Sequence, residues 1–412
     1  MTNQDIFKRD GEYISHTYQR FPIAVRCGHG ASAEDFDGNS YVDFGSGIGT
    51  NSLGFCNEGW VKAVSEQLRK VQHTSNLFYT LPDVMLAERL CRETGYSKVF
   101  FGNSGAEANE AAIKLARKYG REKKGEHCNQ IITLKNSFHG RTITTLAATG
   151  QDSFHQHFFP FTEGFCYVSA DDRQQLRDAV DSSVCGIMIE FVQGEGGVTA
   201  IDKNYAKYVE EVCIENDILL IVDEVQTGIG RTGTFLCCEQ YHIRPNIITL
   251  AKGLGGGLPI GAVLMDDVVG EIFQPGQHGS TFGGNPVVCA GGVEVLNQVC
   301  RKDFLFNVSS KAAYLKEKLL ALPGVVEVSG LGLMIGVKLA EGMDARLVAS
   351  RCAESGLMIL TAKTKLRIMP PFLGLLHSVA HKDMEATLGV KRGVFSDCHA
   401  PAFPDAVQRP GR

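Results

Sequence analysis

The chain has 412 residues, with 41 lysines and arginines against 46 aspartates and glutamates, a formal net charge of −5. That length is enough for two or three domains around a large shared core, and the charge balance offers no basic face to a nucleic acid. Hydrophobic residues at 44% and charged residues at 21% exclude disorder as the main state. The 46 glycines, about 11% where ~7% is usual, indicate the tight turns and close backbone approaches that α/β enzymes use around ligands.

The N-terminal stretch Met1 to Asp10 is polar and charged, unlike a signal peptide. A short helix followed by a hairpin is expected over the first fifty residues, with an Asp37-Gly38-Asn39 turn between alternating segments. From Trp60 to about His73 the spacing predicts a helix with Val61, Val64, Leu68 and Val71 on one face. Between about Tyr96 and Met265, short apolar runs alternate with helical stretches. The runs are Lys98 to Phe101, Gln130 to Leu134, Gly186 to Ile189, Ile218 to Val222 and Ile247 to Leu250. Such runs predict a mostly parallel sheet covered on both faces, with any ligand beyond the carboxyl ends of its strands. After about Asn285 a long helical stretch leads to strands at Val325 to Val328 and Leu333 to Val337, a second and smaller α+β unit.

The thirteen cysteines include no Cys-x-x-Cys pair, and the adjacent Cys237-Cys238 are poorly placed to share one tetrahedral metal. No metal site is expected. Small buried thiols suit a reducing compartment, and the longest apolar run, Ile218 to Val222, is far too short for a membrane span. The chain reads as a soluble, cytoplasmic protein.

The unusual residues cluster at strand ends. Asn103-Ser104-Gly105-Ala106-Glu107 follows a strand and opens a helix with Ala108, Ala112, Leu115, Ala116 and Tyr119 on one face. Its free amides and hydroxyl form either a plain N-cap or a phosphate cradle. Ile221-Val222-Asp223-Glu224-Val225-Gln226 ends an apolar strand in two acids, which either cap the next loop or meet a cation or strong donor. Lys252 leaves a strand straight into Gly253-Leu254-Gly255-Gly256-Gly257. Burial lowers a lysine's pKa and suits it to Schiff-base chemistry. A dinucleotide fingerprint fails there, because its third glycine position holds Leu258. Phe138-His139-Gly140-Arg141 adds a ring and a guanidinium; a histidine such as His139 is more often packed or hydrogen-bonded structurally than catalytic. Gly194-Glu195-Gly196-Gly197 and Gly279-Ser280-Thr281-Phe282 are polar turns that core packing does not require. A lysine, a carboxylate, a flat aromatic and a phosphate cradle together fit pyridoxal 5′-phosphate.

From about Tyr18 to Pro371 the chain resembles the class III (ω-amino) aminotransferases of the type I pyridoxal-phosphate fold, on the motifs at 103–109, 138–142, 223–233, 251–261 and 279–286. The resemblance implies an α/β fold with a mostly parallel sheet in a large domain and a smaller α+β domain. It implies an N-terminal segment (1–56) packing with the small domain, a cofactor-binding domain (57–288) and a small C-terminal domain (289–400); residues 401–412 read as a disordered tail. Lys252 would hold the cofactor and carry the proton, and Asp223 would pair with the ring nitrogen. Val225 and Phe138 would sandwich the ring, Gln226 would meet its hydroxyl, and Glu224 would belong to the same cofactor-binding run. Ser104, Gly105 and Ala106 would take the phosphate, with Thr281 reaching the phosphate of a neighbouring subunit; an obligate homodimer follows. Arg141 would clamp the substrate's α-carboxylate, assisted across the interface by Ser280. Glu195 would hold Arg367 while the amine donor binds and free it to grip the distal carboxylate of 2-oxoglutarate.

Within the family, Ile48 stands where members acting on unacylated ornithine resemble one another in having tyrosine. That argues against unacylated ornithine, although an apolar Ile48 also resembles the 4-aminobutyrate members. The Asn51-Ser52-Leu53-Gly54 and Gly194-Glu195-Gly196-Gly197 turns and the compact length resemble the members that take acetylornithine as donor and 2-oxoglutarate as acceptor, as in arginine biosynthesis. The alternatives are 4-aminobutyrate or another ω-amine, or a dimer that binds pyridoxal phosphate without turnover. Two departures stand out. Phe55-Cys56-Asn57-Glu58 replaces the family's Gly-His-x-His-Pro run, and the sequence from Phe372 departs from the usual strand and helix, with Asp383-Met384-Glu385 as a possible remnant.

Overall fold

The structure is a computed structural model that describes residues 1–373. The expected helix remnant at Asp383-Met384-Glu385 and the tail at 401–412 lie outside the described residues.

Seven strands make the central sheet: β1 (Lys98–Gly102), β2 (Gln130–Leu134), β3 (Phe165–Val168), β4 (Val184–Ile189), β5 (Leu219–Asp223), β6 (Ile247–Leu250) and β7 (Gly261–Met265). Their spatial order is β1-β7-β6-β5-β4-β2-β3, and β7 is antiparallel to both its neighbours. The pairings of β6 with β5, β5 with β4, β4 with β2 and β2 with β3 are all parallel. Every residue of β4, β5, β6 and β7 is buried, as expected of strands covered on both faces. The helix Gly105–Lys124 packs its predicted Ala108, Ala112, Leu115, Ala116 and Tyr119 face into one core layer. Two strands escaped sequence reading. Edge strand β3 carries mixed, half-buried side chains, and β7 follows the glycine run without a turn signal of its own.

The N-terminal helix Asn3–Tyr13 carries a Thr2/Asp5 capping box. The expected hairpin follows, pairing Ser32–Asp35 with Ser40–Asp43. The short strand Leu357–Met358 adds to that sheet beside Ser40–Asp43, so N-terminal and C-terminal segments share one sheet. The second unit's strands Val325–Leu331 and Met334–Leu339 pair antiparallel, and Lys365–Ile368 joins the latter.

The helix expected from Trp60 to His73 instead spans Glu58–Leu68. The Gln67 carbonyl accepts from the amides of Lys70 and Val71, closing a turn that ends it. Its inward side also differs. Gln67 is buried, the Trp60 indole N–H donates to the Gly255 carbonyl at 3.1 Å, and Val61 and Leu68 are exposed. Hydrogen bonding to the glycine loop outweighs the aliphatic stripe in setting the helix's rotation.

One side chain closes the architecture. Arg231, 1% exposed, donates to the carbonyls of Leu333 (3.2 Å) and Pro370 (2.6 Å) and to the Ser52 hydroxyl (3.2 Å). Its guanidinium also lies 4.4 Å from the Phe372 ring centroid. Burial lowers its pKa to about 9, with Asp43 pulling the other way.

Candidate active site

Strand ends β4, β5 and β6 open on a cavity of about 450 Å³. Its walls include Ser104, Gly105, Ala106, Phe138, Arg141, Asp223, Val225, Gln226 and Lys252, together with Thr50, Asn109, His139 and Glu190. Its position beyond the carboxyl ends of parallel strands is where such sheets place ligands.

Asp223 is the last residue of β5 and is 5% exposed. Its Oδ2 accepts from Asn109 Nδ2 and His139 Nδ1, both at 2.8 Å, and its Oδ1 accepts from the Val225 amide at 3.0 Å. Ionised carboxylates offer about four acceptor positions, so three are occupied and one remains toward the cavity. Asn109 and His139 are the positioning partners that the strand pattern did not reveal, and His139 serves Asp223 as a hydrogen-bonding partner.

Lys252 starts the 3-10 turn Lys252–Gly255 after β6, with φ +41°. Burial lowers the pKa of its amine, while Glu195 and Asp223 pull it back up. Ser104 caps the helix Gly105–Lys124, its hydroxyl accepting from the Glu107 amide at 3.1 Å. A Cβ on Gly105 would lie 2.7 Å from Val225 Cγ1, so only glycine lets the helix start and the Val225 wall approach this closely. Gln226 packs against Gly194, and its Oε1 is buried without a partner.

Phe138 and Arg141 stand on the loop after β2. The Phe138 ring meets Phe154 edge-on at 5.8 Å between centroids, and the Arg141 guanidinium lies 4.8 Å from the Phe154 centroid. Arg367, 4% exposed on strand Lys365–Ile368, is ion-paired with Glu195, which the turn after Gln193 carries. Neither lines the cavity, although both charges act on the Lys252 amine.

Glu224, Ser280 and Thr281 also lie outside this cavity. Glu224 follows Asp223 and turns to the opposite side, where its carboxylate accepts from the amides of Cys237 (2.6 Å) and Cys238 (2.8 Å). Strand alternation explains this. Burial raises its pKa to about 7. Ser280 and Thr281 line a separate groove of about 1,060 Å³ with Leu77, Asp83 and Phe101. Ser280 Oγ accepts from Asn103 Nδ2 at 3.0 Å; Thr281 is exposed.

Glu190 was missed. It follows β4, lines the cavity and accepts from the amides of Phe138 (2.8 Å) and Gly194 (3.4 Å). Burial, then the Asp223 charge, pushes its carboxyl well above the usual range. An acid closing the apolar run 186–189 was the available signal, the one that marked Asp223.

The aminotransferase class-III family model matches residues 13–382. The acetylornithine aminotransferase of Haemophilus ducreyi is 52% identical over 374 residues, covering 90% of this chain and 95% of its own. Among solved structures, the ornithine aminotransferase from Toxoplasma gondii, described with partial occupancy of PLP at its active site, aligns with a TM-score of 0.87 at 32% identity, covering 94% of this chain and 92% of its own. The acetylornithine aminotransferase from Elizabethkingia anophelis aligns with a TM-score of 0.81 at 29% identity, covering 95% and 97%. The fold is the type I transferase fold that the motifs led us to expect. A family match over most of the length, and relatives this similar, make the chain a member of the class-III aminotransferases.

Proposed function

We propose that this enzyme transfers the terminal amino group of acetylornithine to 2-oxoglutarate with pyridoxal 5′-phosphate, giving N-acetylglutamate semialdehyde and glutamate. The observation that carries the reading is the cavity that Lys252, Asp223 and Arg141 line together, with the Asp223 charge acting on the Lys252 amine. The acetylornithine aminotransferase of H. ducreyi supports the choice of donor. An apolar Ile48, 40% exposed, offers nothing charged to a free α-amino group.

The cavity walls fit the cofactor in three respects. The Gly105 approach leaves a narrow cradle, the Gln226 Oε1 is buried without a partner, and Asp223 keeps one acceptor position. Bound pyridoxal phosphate supplies a ring that accepts the electrons left when the donor's carbon–hydrogen bond breaks. Asp223, its carboxylate held by Asn109 and His139, would keep the ring nitrogen protonated, and Gln226 would take the ring hydroxyl. Ser104, Gly105 and Ala106 present amides and a hydroxyl at a helix start, suited to a phosphate. Val225 and Phe138, which line the cavity, would enclose the ring. Lys252 anchors the cofactor, and its depressed pKa keeps the amine available as a base. Arg141 takes the donor's α-carboxylate through its fork of donors. Glu195 neutralises Arg367 until the diacid acceptor arrives.

We also assign a homodimer. Ser280 and Thr281 sit outside their own chain's cavity, in a groove that the strongly exposed Leu77 (87%) also lines; Tyr79 (100%) and Leu81 (70%), close to it in sequence, are as exposed. A second copy covering that face would receive Thr281 at its phosphate site and Ser280 beside its substrate. Among the described residues no helix is long and apolar enough to cross a membrane. The buried thiols Cys185, Cys213, Cys237 and Cys289 are free, which suits a reducing, cytoplasmic location.

The test is an absorbance spectrum of the cofactor-loaded enzyme before and after acetylornithine, with 4-aminobutyrate and ornithine in parallel. Acetylornithine should discharge the lysine-bound cofactor's band and 2-oxoglutarate should restore it. Discharge by 4-aminobutyrate alone would move the donor assignment, and a Lys252→Ala protein that still cycled would overturn the mechanism.

A further inference from the structure

The two arginines assigned to substrate carboxylates are held in opposite ways. Arg367 is buried and neutralised by Glu195. Arg141 is exposed and, among the described residues, has neither a hydrogen bond nor an ion pair; its partners are the faces of Phe154 (4.8 Å) and Phe138 (5.8 Å). A flexible, charged side chain without a polar partner samples many rotamers, and fixing it on binding costs free energy. An aromatic face removes part of that cost without using any of the five N–H donors that a carboxylate needs.

Phe154 is well placed for this. It ends the 3-10 turn Asp152–Phe154, its amide donating to the Gln151 carbonyl at 3.0 Å. Gln151 Nε2 in turn donates to the Ser137 carbonyl at 3.0 Å, and the Gly150 amide donates to the Ser137 hydroxyl at 3.0 Å. The His139 amide donates to Thr149 Oγ1 at 2.9 Å. The segment leading to Phe154 and the loop bearing Phe138 and Arg141 are therefore laced together, and Phe154 is half-buried between them.

We propose that Phe154 is the positioning residue for Arg141, holding the guanidinium over its ring so that the fork is ready for the substrate's α-carboxylate. The inference rests on the reading of Arg141 as the carboxylate clamp. Phe154 touches no reacting atom, so its contribution belongs in substrate affinity and not in the chemical step.

Phe154→Leu keeps apolar bulk and removes the π face; Phe154→Tyr keeps both. In the cofactor-loaded enzyme, Phe154→Leu should raise KM for acetylornithine roughly 3- to 10-fold, with kcat within about twofold of the parent if the chemical step is untouched. Pentylamine, which has the terminal amine and no carboxylate, should react with unchanged kcat/KM. Calorimetric binding of N-acetylnorvaline, which carries the acylated head without a terminal amine, should weaken in the same proportion, and Phe154→Tyr should restore both values. Equal losses for acetylornithine and pentylamine, an unaltered KM, or a fall confined to kcat would each overturn the proposal. Arg141→Ala separates the two readings. If it weakens N-acetylnorvaline binding and Phe154→Leu does not, Phe154 alone loses its role. If Arg141→Ala leaves that binding intact, the clamp reading fails first.

Discussion

Asp223 and Glu224 are consecutive acids at the tip of one buried strand, and the structure puts them to different uses. Asp223 faces the cavity, where two side chains and one amide donate to it and one acceptor position stays open. Glu224 faces away, takes two backbone amides from Cys237 and Cys238 and is raised to about pH 7 by burial. Glu190, at the tip of the neighbouring strand, is a third case. It faces the cavity, yet it bonds only backbone amides and is pushed toward its neutral form. Environment, more than residue type or position along a strand, decides which acid is held toward the cavity by side chains and which fastens loops through backbone amides.

The sharpest way to break this comparison is to neutralise each acid in turn. Asp223→Asn should lower kcat at least ~10²-fold, the scale of losing one well-placed electrostatic partner of a reacting group, whereas Glu224→Gln should change it less than about threefold; steady-state kinetics at saturating cofactor would read both. A Glu224→Gln protein as damaged as Asp223→Asn would mean that the two faces are not separate.

Glu190 should fall between them. Glu190→Ala leaves the amides of Phe138 and Gly194 without their acceptor, at about 1–3 kcal/mol for each buried donor, seen as a lower midpoint of denaturant unfolding. Glu190→Gln, neutral and nearly isosteric, should recover most of that stability. If it did not, the acid is needed as a charge and resembles Asp223 more than Glu224.

Gly105→Ala tests the opposite wall of the cavity. The new methyl must displace Val225, 2.7 Å away, and overpacking of about 1–3 kcal/mol should weaken cofactor retention roughly tenfold on dialysis. Unchanged retention would show that Val225 yields freely.

The smallest effect is a slope. Because Glu224 binds its proton more tightly folded than unfolded, the native state holds more protons between the ordinary glutamate value of about 4.5 and about 7. Stability contributed at this site therefore falls as pH rises through that window and levels off above it, by up to about 3 kcal/mol. Glu224→Gln lacks the slope, so the melting temperature of the variant minus that of the parent should climb from pH 4.5 to 7 and then stay flat.

The same comparison shows what could be read before any coordinates. Ser104, Asp223 and Lys252 were visible because each interrupts an apolar run where a strand ends, and a costly polar residue there needs a reason. Glu190 obeyed the same rule but lay in a run without a second signal. Glu224 was assigned to the cofactor by the family resemblance, and strand alternation turns it away from Asp223. The helix at 58–68 kept its place but not its length or face, since the Trp60 bond to Gly255 spans nearly two hundred residues. Phe154 carried no signal at all, because its meaning is a distance to Arg141. Contacts between distant segments are what periodicity does not encode.

Arg231 has a consequence for how the protein is made. Its partners lie 179 residues before it at Ser52 and 102 and 139 residues after it at Leu333 and Pro370. All seven strands of the central sheet have emerged from the ribosome once Met265 is out, but the guanidinium lacks its first carbonyl acceptor until Leu333 appears and its second until Pro370. Loops this long close late. A chain stopped just short of Pro370 would leave this buried cation one acceptor short, a cost that its sheet alone does not repay.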